Sequence, residues 1–338
     1  MTENNNTEYT KKDFVSDQEV KCCPGCGDYA ILSAIQTALS KIGRKKEDIV
    51  FVSGIGCSSR FPYYLNTYGY HTIHGRATAV ASGVKTANPD LSVWVITGDG
   101  DSLSIGGNHL IHAIRRNIDM NIVLFNNETY GLTKGQYSPT TKQGKVTKST
   151  PYGSLDRPFS PAKLAFGASA TFIARTLDAD SKHMQAIMLE AEEHRGTSFV
   201  EILQNCVIFN DGCHDEYTNK KSRDDHSLML THDEPMTFGG EIEKGIILDN
   251  LTLKVVELGD KYTKSDCLVH DKTNEVLASL LVAMDMNPLM PKLYGVIYAV
   301  QDVIYNDQVS EQITEVKAKK GDGDFNKLLY SGDTWEIK

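Results

Sequence analysis

The stretch LSVWVITGDGD, residues 91–101, decides the fold class of this chain of 338 residues. It begins with an apolar, β-rich run of the length of a buried strand and ends in the glycine-flanked acidic turn 98–101. The same order recurs on both sides, since the strand patterns 49–53 and 121–125 each lead into a polar, turn-rich segment. Helical patterns lie between these runs. Strands that alternate with helices predict an α/β fold with a doubly wound, mostly parallel sheet.

This alternation divides the chain into parts. The spacing of apolar residues predicts helices over 28–42, 77–86, 104–116 and 181–194, and further strands near Thr171 and over 198–203. The polar segment 210–235 then separates this region from one apolar helix pattern, 276–284, and from strand-like pieces such as 294–300. We therefore expect a flexible N-terminal arm over 1–20, a main domain over 21–235 and a smaller α+β C-terminal extension over 236–338.

Composition and charge exclude several classes of protein. The 35 Lys and Arg against 44 Asp and Glu give a net charge of -9, the wrong sign for gripping a nucleic-acid backbone. No apolar run reaches the ~18 residues of a membrane span, and the polar start lacks the apolar core of a signal peptide. The sequence therefore predicts a cytoplasmic protein that binds neither nucleic acid nor membrane. In that reducing compartment its seven cysteines favour metal ligands, reactive thiols or core residues over disulfides.

Chemically versatile side chains follow the strand patterns at equivalent places. Cys57, Asp99, Asn127 and Cys206 each lie shortly after a predicted strand. Ligands of open α/β sheets bind outside the carboxyl ends of the strands. We therefore expect these four residues to converge on one crevice.

Asp99 and Asn127 have the chemistry of a magnesium site beside a diphosphate. A carboxylate on a glycine-flanked turn takes one position on Mg²⁺ while backbone N–H groups approach the diphosphate. Asn127 lies 28 positions later, far enough to cross a helix and return at the end of the next strand. Its amide oxygen and the Thr129 carbonyl are candidate further ligands. Gly-Asp-Gly alone is a common turn signal, but with Asn-Asn at this spacing it resembles the signature of thiamine-diphosphate enzymes.

Four cysteines offer a second set of metal ligands. Cys23 and Cys26 form a CxxC pair in a proline and glycine turn, a local chelate for zinc or an iron–sulfur cluster, and Cys57 and Cys206 could join them. Alternatively, the pair is a redox dithiol and the other two are small buried hydrophobes. Ligands scattered over a domain favour a buried cluster over zinc, which more often uses a second CxxC nearby. The remaining cysteines are assigned to no site, although two of them neighbour predicted ligands: Cys22, Cys213 and Cys267.

Several motifs together resemble the β subunit of 2-oxoacid:ferredoxin oxidoreductases. They are CPGCGD at 23–28, GIGCSSR at 54–60, HGRA at 74–77, GDGD at 98–101 with IGGNH after it, NNETYGLTKGQ at 126–136 and ILQNCVIFN at 202–210. The resemblance extends from about residue 20 to residue 240. It departs from the family at Cys22, where relatives often carry an aromatic residue.

The resemblance implies three bound groups in the domain 21–235. They are a [4Fe-4S] cluster on Cys23, Cys26, Cys57 and Cys206, thiamine diphosphate beside it, and Mg²⁺ on Asp99, Asn127 and the Thr129 carbonyl. The residues expected to contact thiamine diphosphate are Gly54, Ile55, Gly56, Cys57, His74, Gly98, Gly100, Asp101, Gly131 and Leu132. Lys134 and Arg60 are the cations expected to pair with substrate carboxylates, the alternative being solvated loop residues.

The implied activity is oxidative decarboxylation of a 2-oxoacid to its acyl-CoA, with electrons passed through the cluster to ferredoxin. The motifs GIGCSSR at 54–60 and TKGQYSPT at 133–140 resemble those of the 2-oxoglutarate or broad 2-oxoacid members of the family, and 2-oxoglutarate is the expected substrate. Residues 236–338 show no second α/β half to grip the aminopyrimidine ring, so we expect the chain to be inactive alone and to complete its site with an α subunit, in a heterodimer or a dimer of heterodimers.

Three alternatives remain open at this point. They are a pyruvate-specific member of the family, a non-redox thiamine-diphosphate decarboxylase or carboligase subunit, and an iron–sulfur or zinc module without thiamine diphosphate. Iron and acid-labile sulfide distinguish the second alternative. The variant Asp99→Ala distinguishes the third, because a module without thiamine diphosphate would not respond to it.

Overall fold

An eight-stranded sheet forms the centre of the protein, and the computed structural model describes residues 8–337. The strands in chain order are β1 (Ile49–Ser53), β2 (Tyr68–His71), β3 (Ser92–Gly98), β4 (Met120–Asn126), β5 (Phe172–Leu177), β6 (Thr197–Leu203), β7 (Ser227–Leu230), β8 (Thr237–Phe238), β9 (Lys244–Asp249), β10 (Thr252–Glu257) and β11 (Lys292–Ala299). The large sheet has the order β2-β1-β3-β4-β6-β5-β11-β7, and β8, β9 and β10 form a separate antiparallel sheet.

Parallel pairing dominates the large sheet. The pairs from β2 through β5 are all parallel, β11 is antiparallel to β5, and β7 is parallel to β11. The strands β1, β4 and β6 are buried along their whole length. Continuous burial is typical of parallel strands that are covered on both faces. The predicted α/β fold with a mostly parallel sheet is therefore confirmed.

Helices cover the sheet on both sides. The helices in chain order are α1 (Asp28–Ile42), α2 (Phe61–Tyr64), α3 (Ala77–Ala87), α4 (Asp99–Leu103), α5 (Gly107–Arg115), α6 (Pro161–Gly167), α7 (Ser181–Glu193), α8 (Asp215–Thr218), α9 (Arg223–His226), α10 (Glu275–Met284), α11 (Tyr305–Lys320) and α12 (Phe325–Leu329). Alternate residues of β4 enter two different cores: Ile122 belongs to the core that includes residues of α3, α5, α6 and α10, and Val123 belongs to the core that includes residues of α1 and α7. This alternation follows from the two-residue period of a strand.

Local sequence signals position the elements that surround the site. The predicted helix 28–42 has the same bounds in the structure, and Gly43 ends it with a φ of 76°, a conformation that glycine adopts without strain. The acidic turn after β3 is itself the start of the short helix α4, with Asp99 as its first residue. A second helix, α5, then replaces most of the single helix predicted over 104–116.

The C-terminal hundred residues contribute to the main sheet. The strand β11 lies between β5 and β7, and α10 belongs to the same hydrophobic core as α6. The sequence patterns did not indicate this pairing. A domain boundary at residue 235 stays a prediction, but the segment that follows it is not separate from the sheet.

The N-terminal part of the chain packs against the fold from residue 11 onward. Phe14 is fully buried with residues of α1, and Val15 forms a β-bridge with Leu65. The first seven residues of the arm predicted over 1–20 lie outside the described residues. Across residues 8–337, no helix combines the length and the apolar character needed to cross a membrane.

Candidate functional site

Two adjoining cavities lie at the carboxyl ends of β1, β3, β4 and β6. The Asp99 cavity, of about 200 Å³, is lined by the turns that follow β1, β3 and β4. The cysteine cavity, of about 240 Å³, is lined by the CxxC segment and by the turns after β1, β4 and β6. Residues that line both cavities are Cys57, Asn127, Gly131, Leu132 and Gln204. The strand ends therefore converge as predicted, but on two adjoining cavities rather than on one crevice, with Asp99 in one and Cys206 in the other.

The cysteine cavity collects five thiols. Its walls include the predicted ligands and their neighbour: Cys22, Cys23, Cys26, Cys57 and Cys206. Gly131 lies between the two thiols that come from distant turns. A Cβ atom on Gly131 would be 3.6 Å from Sγ of Cys206 and 3.7 Å from Sγ of Cys57. The fold thus brings together side chains that are almost 150 positions apart in the sequence. Cys213 and Cys267 do not line this cavity.

Burial disfavours the thiolate form of three cysteines of this cavity, Cys22, Cys26 and Cys57. It raises the pKa of Cys57 and of Cys22 to about 12, and it raises the pKa of Cys26 as well, with Asp28 adding to all three. A bound cationic centre would replace the thiol protons and reverse this effect. Within residues 8–337, no three His, Cys, Asp or Glu side chains form a ready site for a metal ion. Ligation of iron by these thiols therefore stays a prediction.

Asp99 is a buried carboxylate held by hydroxyl groups. Ser138 and Thr140 donate hydrogen bonds of 2.5 and 2.6 Å, both to its Oδ2. Burial raises the pKa of Asp99 to about 6, and the groups that act against this rise are hydroxyls and backbone amides rather than cations. Oδ1 receives neither hydroxyl, so the geometry suits a cation bound at that oxygen.

Asn127 and Thr129 add two oxygens to the same cavity. The Asn127 Oδ1 accepts the Thr129 N–H at 3.2 Å, and its Nδ2 donates to Oε1 of Gln204 at 2.8 Å. The Thr129 carbonyl accepts the Gly131 N–H at 3.1 Å. Because each of these oxygens has two lone pairs, each retains one for a cation. One carboxylate, one amide and one backbone carbonyl are the hard oxygen donors that Mg²⁺ prefers.

Asp101 organises the other wall of the Asp99 cavity. Its Oδ1 lies 2.6 Å from Nδ1 of His74 and accepts the backbone N–H groups of Gly75 and Ile55 at 2.7 and 3.1 Å. Gly54 lies behind this carboxylate, where a Cβ would be 1.7 Å from Oδ2. The other residues expected to contact thiamine diphosphate line the cavity: Ile55, Gly56, Cys57, His74, Gly98, Gly100, Asp101, Gly131 and Leu132. Gly54 instead allows the close approach of Asp101.

The two cations predicted to bind substrate line the cysteine cavity rather than the Asp99 cavity. The Arg60 Nε–H donates to the Tyr64 hydroxyl at 2.7 Å, and its guanidinium lies over the rings of Tyr63 and Tyr64. Lys134 has a φ of 78°, which is unusual for a residue other than glycine. The structure brings both cations to one cavity, and their roles toward substrate stay predictions.

The structure adds polar residues that the sequence reasoning missed. Gln204 lines both cavities, and its Nε2 donates to Sγ of Cys26 at 3.3 Å. Asp28 lines the cysteine cavity with an Oδ1 that has no hydrogen-bond partner among the described residues, and burial raises its pKa to about 6. Gln204 is separated from Cys206 by one residue, a proximity that could have identified it. Ser138 and Thr140 lie in a loop without a strand or helix pattern, so no comparable signal existed for them.

Comparison with known proteins agrees with this geometry. The family described as thiamine pyrophosphate enzyme, C-terminal TPP binding domain, matches residues 54–202. This range contains the turns after β1, β3 and β4, which form the Asp99 cavity.

Relatives match most of the chain. The 2-oxoglutarate oxidoreductase subunit KorB of Mycobacterium tuberculosis is 49% identical over 330 residues, which cover 96% of this chain and 88% of that protein. The 2-oxoacid:ferredoxin oxidoreductase subunit beta of Saccharolobus solfataricus is 41% identical over 244 residues, covering 71% of this chain and 78% of the relative. The solved 2-oxoglutarate:ferredoxin oxidoreductase from Magnetococcus marinus, which holds 2-oxoglutarate, coenzyme A and succinyl-CoA, has a chain that matches with a TM-score of 0.78, 30% identity and 98% coverage of both chains. This chain therefore belongs to the family of 2-oxoacid:ferredoxin oxidoreductase β subunits.

Proposed function

We propose that this chain is the thiamine-diphosphate-binding β subunit of a cytoplasmic 2-oxoglutarate:ferredoxin oxidoreductase, which converts 2-oxoglutarate and coenzyme A to succinyl-CoA and CO₂. The observation that carries the proposal is the shared wall of the two cavities. Asn127, Gly131 and Cys57 line both of them. This shared wall separates an oxygen-lined site suited to Mg²⁺ from a thiol-lined site.

The Asp99 cavity would hold the diphosphate and its magnesium ion. Asp99, Asn127 and the Thr129 carbonyl would bind the ion, and the backbone of α4 begins at the same turn, where its N–H groups favour an anion. Thiamine diphosphate, when bound, supplies a carbanion that attacks the 2-oxo carbon and an electron sink for decarboxylation. His74, oriented by Asp101, would border the reacting end of the cavity.

The cysteine cavity would hold a [4Fe-4S] cluster on Cys23, Cys26, Cys57 and Cys206. Iron–sulfur clusters are held by cysteine thiolates rather than by carboxylates, and these four residues supply thiols. A cluster, when bound, supplies a one-electron carrier between the site of decarboxylation and ferredoxin. Gln204 would hydrogen-bond a ligand sulfur, since its Nε2 already lies 3.3 Å from Sγ of Cys26. Hydrogen bonds to cluster sulfurs tune the reduction potential.

The relatives support 2-oxoglutarate over pyruvate as the substrate. KorB is named for 2-oxoglutarate, and the matched structure contains 2-oxoglutarate. A dicarboxylate needs a second cation, and Lys134 and Arg60 lie together at the cysteine cavity. We assign Lys134 to the distal carboxylate, because its loop also contributes Leu132 to the Asp99 cavity.

The active complex would include an α subunit. Residues 236–337 fold into a small antiparallel sheet, one strand of the main sheet and helices, and these described residues do not build a second parallel α/β half. Nothing in residues 8–337 therefore supplies the domain that grips the aminopyrimidine in thiamine enzymes. The matched relatives are themselves named as subunits.

The test uses the complex with the α subunit, co-expressed and purified without oxygen. We expect iron and acid-labile sulfide in equal, cluster-sized amounts, bound thiamine diphosphate, and CoA-dependent reduction of ferredoxin with 2-oxoglutarate. The variant Cys57→Ser should lose iron and ferredoxin reduction. The variant Cys267→Ser is the matched control, because Cys267 is buried but lies away from both cavities. Zinc without iron, or equal losses in the two variants, would contradict the redox function, and faster reduction with pyruvate would contradict the substrate.

A further inference from the structure

A chain of buried side chains leads from the C-terminal segment to Asp99. Its first part is an ion-pair triad across three elements: Asp285 at the end of α10, Arg175 in β5 and Glu201 in β6. Arg175 donates to both carboxylate oxygens of Asp285 at 2.8 and 2.9 Å and through Nε to Oε2 of Glu201 at 2.8 Å. All three side chains are at most 3% exposed.

The second part of the chain connects Glu201 to the candidate metal ligand. The Asn126 Nδ2 donates to Oε1 of Glu201 at 2.7 Å. Thr140 lies between the two ends, because its hydroxyl is 2.9 Å from Oδ1 of Asn126 and 2.6 Å from Oδ2 of Asp99. The Thr140 hydroxyl has a single proton, which it donates to only one of these two oxygens at a time. Ion pairs and hydrogen bonds therefore connect Asp285 to Asn126, and the Thr140 hydroxyl is shared between Asn126 and Asp99.

Stability alone is a poor reason for this arrangement. Replacing a buried ion pair by apolar side chains of similar volume is often neutral or stabilising. What an ion pair does offer is a defined orientation, since Arg175 fixes the plane of each carboxylate that it contacts. The oriented Glu201 fixes the Asn126 amide, whose Oδ1 competes with Oδ2 of Asp99 for the single proton of the Thr140 hydroxyl. The position of Asn126 therefore affects the direction in which Thr140 donates.

We propose that Asp285, Arg175, Glu201, Asn126 and Thr140 are positioning residues that orient the Asp99 carboxylate for Mg²⁺. The hydroxyls of Thr140 and Ser138 hold Oδ2, which leaves Oδ1 to bind the ion. The inference rests on the proposed function, which makes Asp99 a magnesium ligand. It assigns the C-terminal segment, through Asp285, a part in cofactor binding.

The experiment measures cofactor loading rather than turnover. The αβ complex, stripped of Mg²⁺, is equilibrated with thiamine diphosphate over a series of Mg²⁺ concentrations, and bound thiamine diphosphate is determined by equilibrium dialysis. We expect Thr140→Val to raise the Mg²⁺ concentration for half-loading about 10- to 100-fold, as loss of a group that orients a metal ligand does. Thr140→Ser, which retains the hydroxyl, should restore loading.

Thr197→Val is the matched control. Thr197 is also fully buried, but it lies at the amino end of β6, away from the carboxyl ends that form the cavities, and its hydroxyl donates to the Ile118 carbonyl at 2.6 Å. Its half-loading concentration should equal that of the wild type. An equal rise in Thr197→Val and Thr140→Val would overturn the proposal, because a general loss of stability would then explain both.

Two further variants separate the possible failures. If Asp99→Asn abolishes loading while Thr140→Val loads like the wild type, the positioning role is wrong and the proposed function stands. If Asp99→Asn loads normally, the proposed function itself is wrong. Glu201→Gln should raise the half-loading concentration in the same direction, and its effect combined with Thr140→Val should be less than multiplicative, because both act through one chain. If the Mg²⁺ concentration for half-loading is unchanged in Glu201→Gln, the positioning role of Glu201, Arg175 and Asp285 is wrong. If Thr140→Val does not assemble with the α subunit, Glu201→Gln is the variant that tests the proposal.

Discussion

Replacing Arg175 by methionine should cost the protein much of its stability. Methionine has a similar length, so the change removes the charge and the donors with little loss of volume. The variant leaves Glu201 and Asp285 buried without the guanidinium that contacts each of them at 2.8 Å in the wild type. Asp285 keeps its ion pair with Lys292 at 2.9 Å, so Glu201 is the carboxylate that loses its cation. It also removes the hydrogen bond of 3.1 Å that Arg175 donates to the Leu293 carbonyl in β11.

The expected loss is about 3–5 kcal/mol of the free energy of unfolding at neutral pH, the usual effect of removing one partner of a buried ion pair. Every ~1.4 kcal/mol is a factor of ten, so the folding equilibrium should shift by about a thousandfold. Urea unfolding followed by tryptophan fluorescence measures this loss, since Trp94 is buried in the core around the same sheet.

Arg195→Met is the comparison that tests the reasoning. Arg195 also contacts two carboxylates, those of Asp307 at 2.9 Å and Asp119 at 3.7 Å, but its side chain is 57% exposed. Exposed ion pairs contribute about 0–1 kcal/mol, so this variant should unfold close to the wild type. Similar losses in the two variants, or a loss below about 1 kcal/mol in Arg175→Met, would refute the role assigned to the buried triad.

Three further changes test other parts of the structure. Gly54→Ala should lower the free energy of unfolding by about 1–3 kcal/mol and weaken thiamine-diphosphate binding, because its Cβ would lie 1.7 Å from Oδ2 of Asp101. In the control Gly83→Ala in α3, the new Cβ meets no atom within 4 Å, so urea unfolding should show a gain of up to about 1 kcal/mol in the free energy of unfolding. Lys134→Met should raise the KM for 2-oxoglutarate about tenfold or more, with Lys134→Arg close to the wild type, and an unchanged KM would exclude the carboxylate contact. Burial lowers the pKa of His194 from 6.5 to about 4. The contribution of neutral His194 to stability is therefore complete above pH 6.5 and is lost as the pH falls toward 4, at no more than about 1.4 kcal/mol per pH unit. His194→Asn should flatten the pH dependence of the free energy of unfolding in that interval.

Much of the fold and of the candidate site followed from local sequence signals. The helix 28–42, the strands that end before the acidic and amide turns, and the convergence of Cys57, Asp99 and Asn127 were predicted and are confirmed. Apolar periodicity and glycine turns act within a few residues, so a single sequence contains them. The ligand roles of these side chains and the contact roles of Lys134 and Arg60 remain predictions.

Other features depend on contacts between distant segments. The insertion of β11 beside β5, the two hydroxyls on Asp99 and the Gln204 side chain between the cavities had no local signature. Each of them arises from residues that the folded sheet brings together. A loop such as 131–160 has neither helical nor strand period, so its side-chain partners cannot be read from spacing.

The sequence by itself determined the α/β alternation, the strand ends at which chemistry would occur and the types of ligand atoms placed there, because turns and periodicity are properties of neighbouring residues. Only the tertiary structure decided that the thiol-lined cavity and the oxygen-lined one share a wall that includes Gly131, and that Asp285 in the C-terminal segment is connected to Asp99 through buried side chains. Strand order and sheet closure set these distances. Both are fixed by the burial of two apolar cores, which is a property of the whole chain.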